Sequence, residues 1–169
     1  STFFASAITG VVNAVYNQAN MVLIVLDNST TAMTGHQPHP GTGQTVMGEI
    51  VQKINIEQVL RGIGVTEIET INPLELEASV SCVKRMAEKT GVRAIIFKAP
   101  CIAVTKPKAP LHVDQDSCIG CKKCIRDLGC PAIVMNDGKI CIDASMCTGC
   151  RLCSQVCPVC AIAGGDDHE

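Results

Sequence analysis

Residues 118–131 read CIGCKKCIRDLGCP, and residues 147–160 read CTGCRLCSQVCPVC. Both segments carry three cysteines at intervals of three residues, followed by a fourth cysteine directly before a proline. A shift of 29 residues superimposes the first three cysteines of the two segments. A shift of 27 superimposes the fourth, because the first segment has two extra residues before it. The two segments are therefore an internal repeat.

This cysteine pattern is typical of iron–sulfur proteins. Three thiolates at such spacing wrap one face of a cubane of iron and sulfide, for which thiolates are suitably soft ligands. In two-cluster repeats the fourth cysteine of each run binds the other cluster. The repeat resembles the bacterial-type ferredoxins with two [4Fe–4S] clusters. That resemblance assigns one cluster to Cys118, Cys121, Cys124 and Cys157, and the other to Cys147, Cys150, Cys153 and Cys130.

An alternative for these eight cysteines is a pair of zinc knuckles, each built from a CxxC pair. Zinc sites rarely use the triple spacing followed by Cys-Pro, which occurs here twice. The remaining cysteines are interpreted as small apolar residues, with Cys160 the best spare ligand: Cys82, Cys101, Cys141 and Cys160. The two extra residues before Cys130 predict a bulged surface loop that exposes Arg126, Asp127 and Gly129.

The composition excludes several classes of protein. The chain has 169 residues, a formal net charge of −2 and 47% hydrophobic residues, which is typical of a globular protein without a basic nucleic-acid footprint. Its longest apolar run, 21–26, is far shorter than the roughly 20 residues of a membrane span. No signal-peptide pattern opens the sequence. We therefore expect a cytoplasmic protein that binds neither nucleic acid nor membrane, and clustered cysteines that hold metal rather than disulfides.

Three helices are predicted in residues 1–104. Apolar residues at helical spacing predict the first over 5–17. Asn55 is expected to cap the second, which ends at Gly64. Asn72-Pro73 is expected to open the third, with the asparagine as cap and proline in the first helical position.

Three strands are predicted between and after these helices, over 21–26, 66–71 and 92–98. The first is wholly apolar, which predicts a strand buried on both faces. The alternating order of helices and strands predicts an α/β layer with a parallel sheet.

The boundaries predict two unlike domains. Residues 105–110, TKPKAP, are expected to form a stiff linker before a cysteine-rich domain over 111–169. Three strands do not complete a doubly wound sheet, and no strand precedes the first helix. The chain is therefore expected to be the C-terminal part of a longer chain, or a processed or split subunit. The second domain is acidic, and the basic side chains inside its cysteine runs are expected to offset that charge or to dock an acidic electron carrier: Lys122, Lys123, Arg126 and Arg151.

The loop over 26–43, LDNSTTAMTGHQPHPGTG, leaves the first strand at its carboxyl end, where ligands bind in open α/β sheets. Its asparagine, serine and threonine oxygens suit a hard cation that shares its coordination with phosphate. Gly41-Thr42-Gly43 lacks the Gly-Lys pair of a phosphate-binding P-loop. His36 and His39 flank prolines, and are interpreted as parts of the loop rather than metal ligands.

Three segments carry a family resemblance: STFFASAITGVVNAVYNQANMVLIVLDNSTTAMTGHQPHPGTG (1–43), GIGVTEIETINPLELE (62–77) and IIFKAPCIA (95–103). They resemble the thiamine-diphosphate domain of the 2-oxoacid:ferredoxin oxidoreductases, most closely the alpha subunits of the indolepyruvate type. The resemblance implies part of an α/β thiamine-diphosphate-binding domain with a parallel sheet. A small α+β ferredoxin-like domain with two [4Fe–4S] clusters is expected to follow.

The resemblance also implies a cofactor site. In that family a Gly-Asp pair, which would lie just before the first residue, begins a motif that ends at Asp-Asn, here Asp27-Asn28. The side chain of Asn28 and the carbonyl of Thr30 are implied ligands of Mg²⁺ on the diphosphate. The backbone of Ser1 and Thr2 would approach the diphosphate, and the thiazolium would be bordered by Thr34, Gly35, His36 and Gln37. No general base is identified, and His36 is the one candidate near the site.

The activity implied is oxidative decarboxylation of a 2-oxoacid, here expected to be an arylpyruvate, with coenzyme A. The products would be acyl-CoA and, through the two clusters, reduced ferredoxin, in anaerobic metabolism and with a second, smaller subunit as partner. The alternative is a non-enzymatic iron–sulfur electron-transfer subunit whose α/β part is a docking remnant, because the Gly-Asp pair is not in the sequence.

Overall fold

The computed structural model describes residues 2–106 and 108–164. The chain divides into two compact units, Ser1–Thr105 and Lys106–Glu169. The helices of the first unit are α1 (Ile8–Tyr16), α2 (Ile56–Ile63) and α3 (Leu76–Glu88), and its strands are β1 (Met21–Asp27), β2 (Glu67–Ile71) and β3 (Val92–Lys98). The second unit contains β4 (Leu111–Val113), α4 (Lys123–Leu128), β5 (Ile133–Asn136), β6 (Lys139–Ile142), α5 (Leu152–Val156) and β7 (Ile162–Gly164). Within the described ranges, no helix is both long and apolar enough to cross a membrane.

The first unit is built on a parallel sheet with the strand order β1-β3-β2. β3 lies in the centre, with Met21 of β1 opposite Val92 and Glu67 of β2 opposite Arg93. Crossover helices connect strands that run in the same direction, as parallel pairing requires. The predicted α/β layer with a parallel sheet is confirmed.

Two hydrophobic clusters cover the two faces of this sheet. On one face, Val25 and Ile96 pack with Val11 of α1 and Leu60 of α2. On the other, Ile95 packs with the fully buried side chains of Cys82 and Met86, both on α3. Successive residues of a strand point to opposite faces, so neighbours in β3 belong to different clusters.

The prediction that β1 is buried on both faces is wrong. Val25 is buried, but the side chains of Ile24 and Leu26 are 48% and 76% exposed. These side chains are exposed because β1 is an outer strand of the described sheet. The helix α3 packs over β3 and β2 and does not cover these two side chains. A wholly apolar strand sequence does not reveal this difference between its two faces.

The ends of α2 follow the prediction and the start of α3 does not. Asn55 Oδ1 accepts the N–H of Gln58 at 3.0 Å, and Gly64 ends α2 in the left-handed conformation at φ +109°. In contrast, Asn72 Oδ1 accepts the N–H of Leu74, so Asn72-Pro73 forms a turn before the helix. α3 begins only at Leu76. A π-helical turn, Phe3–Ala7, precedes α1 and shortens its predicted range.

Arg93 is a buried cation at the start of β3, with 4% of its surface exposed. Its Nε donates to the carbonyl of Met86 at 3.0 Å, and its Nη1 donates to Asn20 Oδ1 and to the carbonyl of Gly91. These acceptors belong to α3 and to the segments entering β1 and β3. The guanidinium therefore ties three parts of the unit together.

The second unit has an approximate internal twofold symmetry. β4 pairs antiparallel with β7, and β5 pairs antiparallel with β6 through the tight turn at Asp137-Gly138. The N–H of Asp114 donates to Ala161 O, and the N–H of Asp143 donates to Ala132 O, both at 2.8 Å. Asp114 corresponds to Asp143 in the 29-residue repeat, and Ala132 corresponds to Ala161. In both bonds, the aspartate of one half therefore donates to the alanine of the other half.

The two extra residues of the first half are accommodated by one further helical residue and by the glycine that ends the helix, rather than by a bulged loop. α4 covers six residues and α5 covers five, and Gly129 ends α4 in the left-handed conformation at φ +58°. Arg126, Asp127 and Gly129 are exposed as predicted. The bulge was the wrong form, because a turn of helix accommodates extra residues without leaving backbone groups unpaired.

Candidate cofactor sites

Four cysteines of the second unit line one small cavity. Three belong to the first run, Cys118, Cys121 and Cys124, and the fourth is Cys157 from the second run. The rest of the wall is mainly apolar and includes Val113, Ile140 and Ile162. The structure therefore brings together the four residues that the ferredoxin resemblance assigned to one cluster.

The buried third cysteine of each run is influenced by cysteines of both runs. Burial raises the pKa of Cys153 to about 11, with further contributions from Cys150, Cys147 and Cys130. Burial also raises the pKa of Cys124, where Cys121 and Cys157 contribute. In each run, the third cysteine is thus influenced electrostatically by a cysteine of its own run and by the fourth of the other, and for Cys124 and Cys157 the shared cavity shows the proximity directly.

Left-handed backbone positions bend each cysteine run around its site. Gly120 and Gly149 have φ of +65° and +69°, and Lys122 and Arg151 have φ of +60° and +64°. Each pair is related by the repeat. The geometry of the two runs is therefore nearly the same, although only the glycines adopt such angles without strain.

Backbone amides point at two of the sulfurs. The N–H of Leu111 donates to Cys147 Sγ at 3.4 Å, and the N–H of Ala161 donates to Cys157 Sγ at 3.3 Å. Hydrogen bonds to ligating sulfur stabilise the thiolate and raise the reduction potential of a bound cluster.

The described cysteines are not arranged as a compact single-ion site. Among the described residues, no three His, Cys, Asp or Glu side chains lie close enough together to surround one metal ion. Thiolates around one zinc stand about 4 Å apart, since each Zn–S bond is about 2.3 Å, whereas a cubane holds them further apart. The choice between clusters and zinc knuckles rests on the cysteine spacing, which occurs twice and is typical of iron–sulfur runs.

The spare cysteines lie elsewhere. Cys160 is exposed and is not part of the described cavity wall that contains Cys157, Pro158 and Val159. Cys141 lies on β6 opposite Val134. Val159 and Cys160 are two additional residues in the second half, and they compensate for the two extra residues of the first. After them the shift between the halves is again 29 residues, which the comparison of the cysteines alone did not show.

The first unit has a cleft of about 640 Å³ at the carboxyl end of β1. Its walls come from β1, from the π-helical turn Phe3–Ala7 and from the loop that follows β1. Ligand pockets typically have volumes of about 300–1,000 Å³, and this end of a parallel strand is their usual place in α/β folds. The sequence-based position for the cofactor site coincides with this cleft.

Side-chain and backbone hydrogen bonds hold the turn at Asp27-Asn28 in place. Asp27 Oδ1 accepts the N–H of Ser29 at 3.0 Å, and Asn28 Oδ1 accepts the N–H of Thr30 at 3.3 Å. The carbonyl of Asn28 accepts the N–H of Cys101 at 3.0 Å. Asn28 and Thr30 both line the cleft, and Thr30 is buried.

The donor chemistry of the cleft fits a polar, oxygen-rich ligand. Thr31 lines the cleft, and its buried Oγ1 has no hydrogen-bond partner among the described residues. A buried hydroxyl without a partner costs about 1–3 kcal/mol, which a ligand oxygen would recover. Mg²⁺ also suits this corner, because it is usually bound by one or two protein oxygens together with phosphate oxygens.

The other predicted cofactor contacts divide into three groups. Thr2 and Thr34 line the cleft. The turn behind the cleft is formed by Gly35, His36 and Gln37, which are not among the described residues of the cleft wall. The side chain of Gln37 donates to the carbonyl of Thr34. Ser1 lies outside the described residues.

His39 lines the cleft, although its sequence position had suggested only a loop residue. Its Nδ1 accepts the N–H of Gly41 at 3.1 Å, and its ring lies 5.8 Å from that of Phe4. Burial lowers the pKa of His39, partly offset by Asp27, which favours a neutral imidazole. The available signal was the segment His39-Pro40-Gly41-Thr42, which is typical of a tight turn.

Two protein families match the two units. Residues 1–97 match the C-terminal TPP-binding domain of thiamine pyrophosphate enzymes, and residues 110–158 match the 4Fe-4S dicluster domain. No solved structure matches the chain significantly.

Several curated proteins are similar to nearly the whole chain. Indolepyruvate oxidoreductase subunit IorA of Methanothermobacter thermautotrophicus is 44% identical over 164 residues, which is 96% of this chain and 26% of that protein. The subunits of the same name from Archaeoglobus fulgidus and Thermococcus kodakarensis are 39% and 40% identical, over 96% and 94% of the chain and over 27% and 26% of their own lengths. The chain therefore spans about a quarter of these relatives, and the resemblance inferred from the sequence is confirmed.

Proposed function

Because the chain belongs to the thiamine pyrophosphate enzymes through their C-terminal TPP-binding domain, we propose that it is part of a 2-oxoacid:ferredoxin oxidoreductase of the indolepyruvate type. In the proposed reaction, an arylpyruvate loses carbon dioxide and coenzyme A accepts the acyl group. The two electrons released reduce ferredoxin in one-electron steps. The IorA names of the relatives support the choice of an indolyl substrate.

One observation carries this proposal: a single chain holds both a cleft with several side-chain oxygens at a parallel strand end and two cysteine runs, of which the first shares a cavity with Cys157 of the second. A simple ferredoxin needs no such cleft. A thiamine enzyme that passes its electrons to another protein needs both, because carbon chemistry releases electrons in pairs and iron–sulfur clusters carry them singly.

In the cleft, we assign Asn28 and Thr30 as ligands of Mg²⁺. Asn28 would bind through its side-chain oxygen and Thr30 through its carbonyl. Thr2 would lie near the diphosphate through its backbone, and Ser1 is proposed to do the same. Thiamine diphosphate, when bound, supplies stabilisation of the carbanion left by decarboxylation. Thr34 is proposed to border the thiazolium, held in place by Gln37, with Gly35 and His36 completing the turn.

In the second unit, each [4Fe–4S] cluster is proposed to take three cysteines of one run and the fourth of the other. The shared cavity and the neighbours of the buried thiols support this assignment. One cluster would be held by Cys118, Cys121, Cys124 and Cys157, and the other by Cys147, Cys150, Cys153 and Cys130.

The proposed partners are ferredoxin and a second, smaller subunit. Three basic side chains on the first cysteine run are exposed: Lys122, Lys123 and Arg126. Opposite charges speed the association of electron-transfer partners, so these side chains are suited to an acidic ferredoxin surface. We place the reaction in anaerobic cytoplasmic metabolism, where low-potential ferredoxin serves as acceptor.

The test uses the full-length protein in complex with its smaller subunit. After removal of thiamine diphosphate and Mg²⁺, we expect no oxoacid-dependent reduction of ferredoxin. Adding both back should restore it, with indolepyruvate preferred over pyruvate and 2-oxoglutarate at limiting substrate. Electron paramagnetic resonance should show two reducible clusters.

Two results would contradict the proposal in different ways. A brown protein with two clusters that binds no thiamine diphosphate would be an electron-transfer subunit. A colourless protein that contains zinc would be an interaction module.

A further inference from the structure

We propose that His39 binds an anionic oxygen in the cleft through its Nε2–H. Two ligands of the proposed function carry such oxygens: thiamine diphosphate, through its diphosphate, and the 2-oxoacid, through its carboxylate. The inference rests on that function, because it requires these ligands to occupy the cleft.

The position of the imidazole proton follows from one hydrogen bond. The backbone N–H of Gly41 is a donor, and it points at Nδ1 of His39 at 3.1 Å. Nδ1 must therefore accept, and in the neutral ring the proton resides on Nε2. Within the described part of the chain, no residue hydrogen-bonds to Nε2 of His39. The ring thus has a donor available to a ligand.

The turn that carries His39 holds its backbone rigidly. The carbonyl of His39 accepts both the N–H and the Oγ1–H of Thr42 at 2.8 Å, and the N–H of His39 donates to Thr42 Oγ1 at 3.1 Å. Pro40 restricts the turn further, since its ring fixes φ. A donor that is already ordered loses little entropy when a ligand binds.

The ring is also held by its neighbours. It lies against the ring of Phe4, with 5.8 Å between centroids and an angle of 33° between planes. A Cβ at Gly41 would stand 3.0 Å from Cε1 of His39 and 3.2 Å from Cε2 of Phe4. A side chain at position 41 would therefore require the two rings to shift by a few tenths of an ångström.

His39 supplies the cleft wall with a neutral donor. Asp27 is the one carboxylate among the described wall residues, and it cannot donate a hydrogen bond when ionised. His39 is the one wall side chain in the described range with a ring N–H. A neutral donor binds an anion without the desolvation cost of a second buried charge.

Two substitutions separate the proposed role from a role in the turn. In His39→Asn, the amide oxygen can take the place of Nδ1 and keep the bond from Gly41, but no donor remains at the Nε2 position. In His39→Gln, the longer amide places an N–H near the Nε2 position and loses the Nδ1 acceptor. His112→Asn, at an exposed position on β4, is the matched control.

The full-length complex is used for all measurements. Titration calorimetry gives the Kd of thiamine diphosphate with Mg²⁺, and steady-state kinetics give the KM and kcat of indolepyruvate at saturating cofactor. Iron content and circular dichroism establish that the variants are folded.

We expect His39→Asn to weaken one of the two ligands about 10- to 100-fold, as for the loss of a hydrogen bond to a charged group. His39→Gln should stay within about threefold of wild type, and His112→Asn should match it. A raised Kd for thiamine diphosphate identifies the diphosphate as the bound anion. A raised KM for indolepyruvate with an unchanged Kd identifies the carboxylate.

Two outcomes overturn the inference while the proposed function stands. One is a wild-type Kd and KM for His39→Asn. The other is a greater loss in His39→Gln than in His39→Asn, since that order indicates a role in the turn alone. If the wild-type complex itself binds no thiamine diphosphate, the proposed function fails and this inference fails with it.

Discussion

Cys157 lines the same small cavity as Cys124, although the two residues belong to different cysteine runs. The pairing of β4 with β7 brings the end of the second run back beside the start of the first. Because the unit has approximate twofold symmetry, the same exchange is expected on the other side, where Cys130 contributes to the raised pKa of Cys153. Each proposed cluster therefore depends on both halves of the repeat.

The first prediction tests this exchange. Cys157→Ala should damage the cluster held by Cys118, Cys121 and Cys124, because that cluster loses one of its four ligands. The cluster proposed at Cys147, Cys150 and Cys153, which are closer to Cys157 in sequence, should remain intact. Iron analysis should show about half of the normal iron, and paramagnetic resonance should show which cluster signal is missing.

The mirror variant and a neighbouring control complete that test. Cys130→Ala should remove the other cluster signal, and Cys160→Ser, three residues from Cys157, should keep the full iron content. Cys141→Ser should also keep it. A structure with Cys157 bound beside Cys147, Cys150 and Cys153 would refute the assignment.

The second prediction concerns the cleft. Asn28→Ala should weaken binding of thiamine diphosphate with Mg²⁺ by about tenfold or more, because one of few protein oxygens is lost from a hard-cation site. Calorimetric titration of the full-length complex measures this, and iron content should stay normal. Asn28→Asp, which keeps a side-chain oxygen at the site, should bind more tightly than Asn28→Ala. Saturation of Asn28→Ala at wild-type cofactor concentrations would show that this loop does not bind the cofactor.

The third prediction compares two glycines related by the repeat. A Cβ at Gly149 would stand 2.7 Å from the carbonyl oxygen of Ala109, whereas a Cβ at Gly120 meets nothing within 4 Å. Both have positive φ, so each alanine substitution costs about 1 kcal/mol of backbone strain. Gly149→Ala should cost about 1–3 kcal/mol more, through the clash with backbone.

Thermal unfolding followed through the iron–sulfur absorbance measures this difference. Gly120→Ala is the control, since it shares the strain and lacks the clash. Equal melting temperatures for the two variants would show that the segment at Ala109 moves freely away from position 149.

The fourth prediction concerns the buried guanidinium. Arg93→Leu should lower the free energy of unfolding of the first unit by about 2–4 kcal/mol, because it removes the buried guanidinium that donates to acceptors on Met86, Asn20 and Gly91, and leaves the buried one on Met86 without this donor. Arg61→Leu is a suitable control. Its ion pair with Glu57 is half exposed, and such i, i+4 pairs contribute about 0.3–0.5 kcal/mol. Denaturant unfolding of both variants tests the ranking, and an Arg61 effect as large as that of Arg93 would contradict it.

Local signals in the sequence predicted local structure well where one residue decides the geometry. Asn55 caps α2 and Gly64 ends it, since a side-chain acceptor and a left-handed residue are what helix ends require. Asn72-Pro73 carries equally good helix-start chemistry, yet it forms a turn before α3. The same side-chain oxygen satisfies an Asx turn or a helix cap, and the packing of α3 decides between them.

By itself, the sequence determined the two domain types, the repeat and which eight cysteines are proposed as cluster ligands, because spacing and periodicity are local properties of a chain. The tertiary structure decided which side of β1 is exposed, how the extra residues before Cys130 are absorbed, and that His39 rather than His36 reaches the cleft wall. Those outcomes depend on what packs against each segment. Contacts between residues distant in the chain set them, and no pattern within the segment records those contacts.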